Sequence, residues 1–62
     1  MIDNPKIVHQ SSTYIYYEDI NKWRIWARFF DNKWIWNAIT WKTGTMQRKE
    51  ANSLEKICKL ID

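Results

Sequence analysis

The sequence predicts a small α+β domain: a three-stranded antiparallel sheet, connected as a meander, with one C-terminal helix packed on one face. Two patterns along the 62 residues favour this fold class. Between Thr13 and Thr43, aromatic and β-branched residues alternate with polar ones, which is the period of half-buried strands. From Glu50 onward, the apolar residues recur at helical spacing instead. A sheet and a helix that each have one apolar side bury it most simply against each other.

Residues 1–12 are expected to form an N-terminal tail or an edge segment, ahead of a single ββ-β-α domain at residues 13–62. Pro5 blocks regular structure around it. The serine pair at 11–12 suggests a break before the first strand. The Ile-Val pair at 7–8 is apolar enough to pair briefly with the edge of a sheet.

Three strands are predicted, at Thr13–Glu18, Lys22–Phe30 and Lys33–Thr43. Asp31 and Asn32 connect the second strand to the third, because these residue types tolerate the positive φ angles that a two-residue hairpin loop requires. With this loop, paired residues of the two strands have numbers that sum to 63. The chain's only glycine ends the third strand, and the register of the first strand stays open.

A helix is predicted from Glu50, where five apolar residues form one stripe. Glu55 precedes Lys59 by four residues, the order in which such an ion pair stabilises a helix. Leu60 lies outside the stripe. The stripe consists of Ala51, Leu54, Ile57, Cys58 and Ile61.

The predicted register divides the second and third strands into two unlike faces. The first face is almost wholly apolar, and the helix must cover it because the helical stripe has nothing else to bury against. It carries Trp23, Ile25, Ala27, Phe29, Trp34, Trp36, Ala38 and Thr40. The second face mixes cations with aromatic and aliphatic side chains, and Tyr14 and Tyr16 are expected to extend it.

Because one helix cannot cover both sides of a sheet, the second face is expected to be an interface. Arginine and tryptophan, which it combines, are the residues most enriched at binding hot spots. Between Ile20 and Lys49, seven basic residues stand against a single acid, a net charge of +6 that favours a polyanion or an acidic protein as partner. The candidate binding residues are Arg24, Trp26, Arg28, Lys33, Ile35, Asn37, Ile39, Trp41 and Lys42.

Three interpretations of the second face remain open. In the first, it binds DNA, either with the sheet in the major groove or with single-stranded bases stacked on its aromatic rings. In the second, it meets a protein, which is either a host factor or a second copy of the chain in a homodimer. In the third, residues 1–12 fold across it and the arginine side chains extend past them. Neither a membrane nor a small-molecule substrate is expected as a partner.

The chain offers little for catalysis or metal binding. Cys58 and His9 are the only residues of their types, so neither an intrachain disulfide nor a four-ligand Cys/His zinc site can be built. Glycine-rich phosphate loops and nucleotide fingerprints are absent from the sequence. We therefore expect no enzyme activity, no cofactor and no metal. The sequence also lacks a signal-peptide pattern and an apolar run of about 20 residues, which predicts a cytoplasmic protein.

The order of elements resembles the three-stranded-sheet-plus-helix DNA-binding domains of tyrosine recombinases and plant ethylene-response factors. The similarity covers about residues 22–60 and rests on WKTGTM at 41–46, followed by KEA at 49–51 and Leu54. Met46 stands where those domains usually have an aromatic residue, and Arg48 where they favour threonine. The resemblance implies a sheet that lies in the major groove, with the following groove readers: Arg24, Trp26, Arg28, Asn37 and Trp41.

The sequence thus favours a small basic module that binds DNA through the uncovered Arg/Trp face of its sheet. The alternative is a phage or mobile-element inhibitor or adaptor. Such a protein would use the same aromatic face to bind a host protein or to homodimerise.

Overall fold

One antiparallel sheet and one helix make up the part of the chain that the computed structural model describes, residues 5–42 and 44–61. Expectations for residues 1–4, Thr43 and Asp62 lie outside it. Within those bounds the sheet has five strands in sequence order, β1 to β5, followed by helix α1. The elements are β1 (Ile7–Gln10), β2 (Tyr14–Tyr17), β3 (Arg24–Phe30), β4 (Lys33–Lys42), β5 (Thr45–Ala51) and α1 (Leu54–Ile61).

The α+β class, the antiparallel meander and the C-terminal helix are confirmed, but the prediction of three strands was wrong. The first additional strand, β1, comes from the segment expected to be a tail or an edge, and it pairs with β2. Its pairing register shifts by one residue between Ile7 and His9. All four of its residues are exposed, so the sequence lacks the alternation of buried and exposed residues that would predict a strand there.

The second additional strand, β5, replaces the start of the predicted helix. The sequence assigned residues 50–53 to the helix, but Glu50 and Ala51 extend β5 and the helix begins at Leu54. Six of the seven β5 residues are exposed and only Ala51 is half-buried, so the segment has no apolar alternation that would predict a strand. The strand forms because its backbone pairs with β4 along its whole length, from Thr45 opposite Lys42 to Ala51 opposite Trp36.

Ser53 sets the first residue of the helix. Its hydroxyl oxygen accepts a hydrogen bond from the Lys56 amide at 3.2 Å, and its carbonyl accepts one from the Ile57 amide at 3.1 Å. These are the bonds of an N-cap residue, which satisfies amides that the first helical turn leaves without partners. The predicted Glu55–Lys59 pair is present at 3.5 Å. With eight residues, α1 is too short to cross a bilayer, and it is the only helix in the described part of the chain.

Two tight turns use residues with positive φ, and the first of them fixes the predicted register. Asp31 and Asn32 have φ angles of 53° and 65°, and every pair between β3 and β4 sums to 63 as expected. Asn21 and Lys22 have φ angles of 52° and 68° in a second turn. That turn is closed by two backbone hydrogen bonds between Ile20 and Trp23, at 2.8 and 2.9 Å.

The core lies between helix α1 and the first face, as the sequence predicted. The buried apolar residues come from β2, β3, β4, the turn before β3 and the helix: Tyr17, Trp23, Ile25, Ala27, Ala38, Ile57, Cys58 and Ile61. Two hydrogen bonds satisfy polar side-chain atoms next to this core. Trp36 Nε1 donates to Tyr17 Oη at 3.1 Å, and the fully buried Thr40 hydroxyl donates to the Lys22 carbonyl at 2.6 Å.

Replacing Lys22 by glycine should stabilise the protein. An L-residue in the left-handed region costs roughly 1–2 kcal/mol, and the entropy that glycine loses on folding offsets only part of this. We expect Lys22→Gly to raise the free energy of unfolding by about 0.5–1 kcal/mol in urea titrations. Lys49→Gly, in the extended backbone of β5, is the matched control and should lower it. Destabilisation by both variants would contradict the strained turn.

Truncating the centre of the helix–sheet contact should cost much of the stability of so small a domain. Ile57 is fully buried, so Ile57→Ala is expected to lower the free energy of unfolding by about 2–4 kcal/mol. Leu60 is 50% exposed on the same helix, and Leu60→Ala should cost less than about 1 kcal/mol. Denaturant titration followed by tryptophan fluorescence measures both, and equal losses would mean that α1 does not pack as described.

Candidate functional site

The side of the sheet opposite α1, the open face, is not covered by any other element in the described part of the chain. The helix backbone lies against β4 and β5, its buried side chains join Ile25 and Ala27 of β3 in the core, and every other close backbone contact between elements joins neighbouring strands of the sheet. Residues 5–12 lie beside β2 and not across the open face, so in this region the third interpretation of the sequence was wrong. By strand alternation, the open face carries His9, Tyr14, Tyr16, Arg24, Trp26, Arg28, Phe30, Lys33, Ile35, Asn37, Ile39, Trp41, Met46, Arg48 and Glu50.

An aromatic row crosses the first three strands of the open face. His9 is opposite Tyr16, and Tyr16 is opposite Trp26. Tyr14 lies two residues before Tyr16 on the same strand, and its ring centroid is 6.5 Å from that of His9. Tyr14, Tyr16 and Trp26 are half-buried. The β2 residues were expected to extend the face, whereas His9 was assigned to a tail and reaches the face only because β1 pairs with β2.

Two arginines flank Trp26 on its own strand. Arg24 and Arg28 are two residues away on either side, which places each about 7 Å along β3 from the tryptophan. Both are exposed. The Arg24 Nε lies 3.7 Å from an Asp19 carboxylate oxygen, whereas Arg28 has no acidic partner within the described residues. The order of cation, aromatic ring and cation that the sequence predicts is therefore present along β3, on the open face.

Strand β5 adds two charged residues that the sequence analysis did not place on this face. Arg48 is opposite Ile39, and Glu50 is opposite Asn37. Arg48 Nη2 donates a hydrogen bond to Asn37 Oδ1 at 2.9 Å and lies 3.6 Å from a Glu50 carboxylate oxygen. Their position depends on the pairing of β5, for which the sequence holds no apolar signal.

Asn37 is almost completely buried, at 5% exposure. Its Oδ1 accepts the Arg48 hydrogen bond, and its burial leaves little of the amide accessible for the bidentate contact with adenine that a groove-reading asparagine makes. Asn37 thus positions Arg48 on the face in this state. Within the described residues, no buried side-chain nitrogen or oxygen lacks a hydrogen-bond partner.

The open face also has two exposed apolar ends. Trp41 and Met46 are opposite each other on β4 and β5, and each is 57% exposed. Phe30, at the far end of the β3–β4 ladder opposite Lys33, is 73% exposed. Ile35 and Ile39 between these ends are half-buried. Lys42 is the last residue of β4, and its side chain lies outside what the structure describes.

A shallow depression of about 330 Å³ lies on the open face between β3 and β5. Arg28 and Arg48 stand on its two sides, with Ile35 and Asn37 on the intervening strand. Its lining is completed by Phe29, Phe30 and Glu50. Its volume is at the lower end of the range for small-ligand sites. The depression therefore places an isoleucine and a buried amide between two guanidinium groups, one of which has the Glu50 carboxylate beside it.

The bond between Arg48 and Asn37 should contribute measurably to stability. Arg48→Met removes the donor and leaves the nearly buried amide oxygen to water, which we expect to lower the free energy of unfolding by about 1 kcal/mol, since the partly exposed position lets water compensate. Lys49 is the adjacent exposed residue on the other side of β5, and Lys49→Met should change the free energy of unfolding by less than about 0.5 kcal/mol. Thermal or urea unfolding compares them, and identical stabilities would show that the bond contributes nothing.

Comparison of the chain with protein-family models, curated proteins and solved structures yields no match. The resemblance of residues 22–60 to recombinase and ethylene-response domains therefore stays a prediction from the sequence. One difference is visible in the fold: the segment likened to the start of their helix, KEA at 49–51, is the end of strand β5.

Proposed function

We propose that this protein is a small basic binding module that acts by binding DNA through its open face. The observation that carries the proposal is the placement of Trp26 between Arg24 and Arg28, with Tyr16 directly opposite the tryptophan. Many proteins that bind nucleic acid strands through a surface combine cations for the phosphates with aromatic rings on which bases stack. The four residues supply both kinds of group within two paired strands.

The charge on the open face supports a polyanionic partner. Four cations lie on this face, and two of them have a carboxylate beside them, Arg24 that of Asp19 and Arg48 that of Glu50. The four are Arg24, Arg28, Lys33 and Arg48. Arginine fits a phosphate with two parallel hydrogen bonds, and it can also take the O6 and N7 atoms of guanine. Arg28 and Lys33, which have no acidic partner within the described residues, are the groups most accessible to a phosphate.

The apolar residues of the face complete the proposed contact. Trp41 is exposed enough to stack on a base, and Ile35 and Ile39 can pack on sugars or on the methyl group of thymine. Lys42 is the next residue in the chain after Trp41 and carries a further positive charge. Because the module acts by binding, it needs no catalytic group. The single cysteine suits a reducing compartment, and we place the protein in the cytoplasm.

A protein partner is the second candidate, and the exposed apolar pair of Trp41 and Met46 favours it. Exposed tryptophan next to arginine is the composition of a binding hot spot. In this version the module is a phage or mobile-element inhibitor or adaptor, and its open face covers a host protein or a second copy of the chain.

Salt dependence distinguishes the two candidates. Binding of a fluorescein-labelled, mixed-sequence DNA is measured by anisotropy between about 50 and 200 mM salt, the range over which phosphate contacts lose affinity steeply through counterion release. Arg28→Gln should weaken binding several-fold and reduce the log–log salt slope by about 1. Lys59→Gln, which removes an exposed lysine from helix α1, should leave the slope unchanged.

A slope near zero, or equal effects of Arg28→Gln and Lys59→Gln, would contradict DNA binding by the open face. Sedimentation of the protein alone tests the second candidate. A doubled mass at micromolar concentration that Trp41→Ala abolishes would favour self-association through this face.

A further inference from the structure

We infer that the open face receives a single strand of DNA and does not enter the groove of a duplex. The inference rests on the proposed function and specifies its ligand. Two features of the structure support it: the width of the sheet, and the distribution of aromatic rings and cations across the open face.

The sheet is too wide for the major groove. Neighbouring strands lie about 4.8 Å apart, so five strands span about 19 Å between the outermost backbones, whereas the groove is about 12 Å wide and admits a helix or a two-stranded ribbon. A two-stranded ribbon of β3 and β4 alone would fit.

The additional strands lie where they block groove entry. The cations and rings of the proposed contact are centred on β3 and β4, with β1 and β2 on one side and β5 on the other. For Trp26 to reach a base edge at the floor of a groove, the outer strands would have to pass through the two sugar–phosphate backbones. A single strand that lies across the surface meets no such obstacle.

The aromatic side chains suit unstacked bases. In a duplex the faces of the bases are covered by their neighbours and only the edges are accessible, whereas in a single strand the faces can stack on protein rings. Tyr14, Tyr16 and Trp26 form a cluster on β2 and β3, and Trp41 and Phe30 are exposed at the two ends of the face. A strand that follows β3 meets Arg24, Trp26 and Arg28 in turn, in the order phosphate, base, phosphate.

The isoleucines favour DNA over RNA. Ile35 and Ile39 lie half-buried in the middle of the face, and Asn37 between them is only 5% exposed, so little of its amide can reach a ligand hydroxyl. Deoxyribose carbons and thymine methyl groups can be desolvated against isoleucine without loss, whereas a 2′-hydroxyl left there without a partner is unfavourable.

The test compares three ligands of one mixed sequence, each of 12 nucleotides: the single-stranded DNA, its blunt-ended duplex and the corresponding single-stranded RNA. Binding is measured by anisotropy and by quenching of tryptophan fluorescence at fixed salt. We expect the single-stranded DNA to bind at least tenfold more tightly than the duplex and more tightly than the RNA.

Two variants test the stacking contacts without removing the core. Trp26→Leu keeps an apolar side chain but lacks a ring, and the exposed Trp41→Ala is not part of the buried cluster. Each should weaken binding to single-stranded DNA by about 5- to 100-fold, the range observed when one stacking residue is removed. Leu60→Ala, an exposed apolar residue on α1, is the control and should bind like the unaltered protein, and circular dichroism verifies that all three are folded.

The outcomes separate the inference from the proposed function. Equal or tighter binding to the duplex would overturn the inference and leave DNA binding in place, as would wild-type affinity of both tryptophan variants. Tighter binding to RNA would overturn the choice of DNA. Failure to bind any of the three ligands would overturn the proposed function itself.

Discussion

The pairing of β3 with β4 is the constraint on which the rest of the structure depends. A two-residue loop at Asp31 and Asn32 fixes the register, and in an antiparallel pair a shift of one residue would move every side chain to the opposite side of the sheet. This one loop therefore decides that Trp23, Ile25 and Ala27 enter the core. It also decides that the Arg24–Trp26–Arg28 sequence faces away from it.

The short chain explains why the second side of the sheet remains uncovered. A domain of about 60 residues buries only roughly 60% of the surface of its unfolded chain, and here the eight-residue helix is the one element of the described chain that packs on a face. The open face is stabilised locally instead. Asn37 is nearly buried and accepts a hydrogen bond from Arg48, and Tyr14, Tyr16 and Trp26 are half-buried.

The two edge strands, β1 and β5, contribute more to the width of the sheet than to the hydrophobic core. Neither β1 nor most of β5 is buried, so they add backbone hydrogen bonds and width without adding much apolar contact. Their composition also limits pairing with other chains: β1 is short and has a register shift, and β5 presents Arg48, Lys49 and Glu50 at its edge. By widening the sheet beyond the major groove, they favour the single-stranded ligand that we propose for the open face.

The sequence by itself determined the features that depend on short-range pattern. The loop at 31–32 follows from residues that tolerate positive φ, the register of β3 and β4 follows from the loop, and the buried face of α1 follows from the spacing of Leu54, Ile57 and Ile61. Tertiary structure alone decided that residues 45–51 form a strand. All of these residues but Ala51 are exposed, and they show no apolar alternation, so no local signal selects an extended backbone. The extended backbone is selected by pairing with the edge of β4, and this pairing brings Arg48 to the open face.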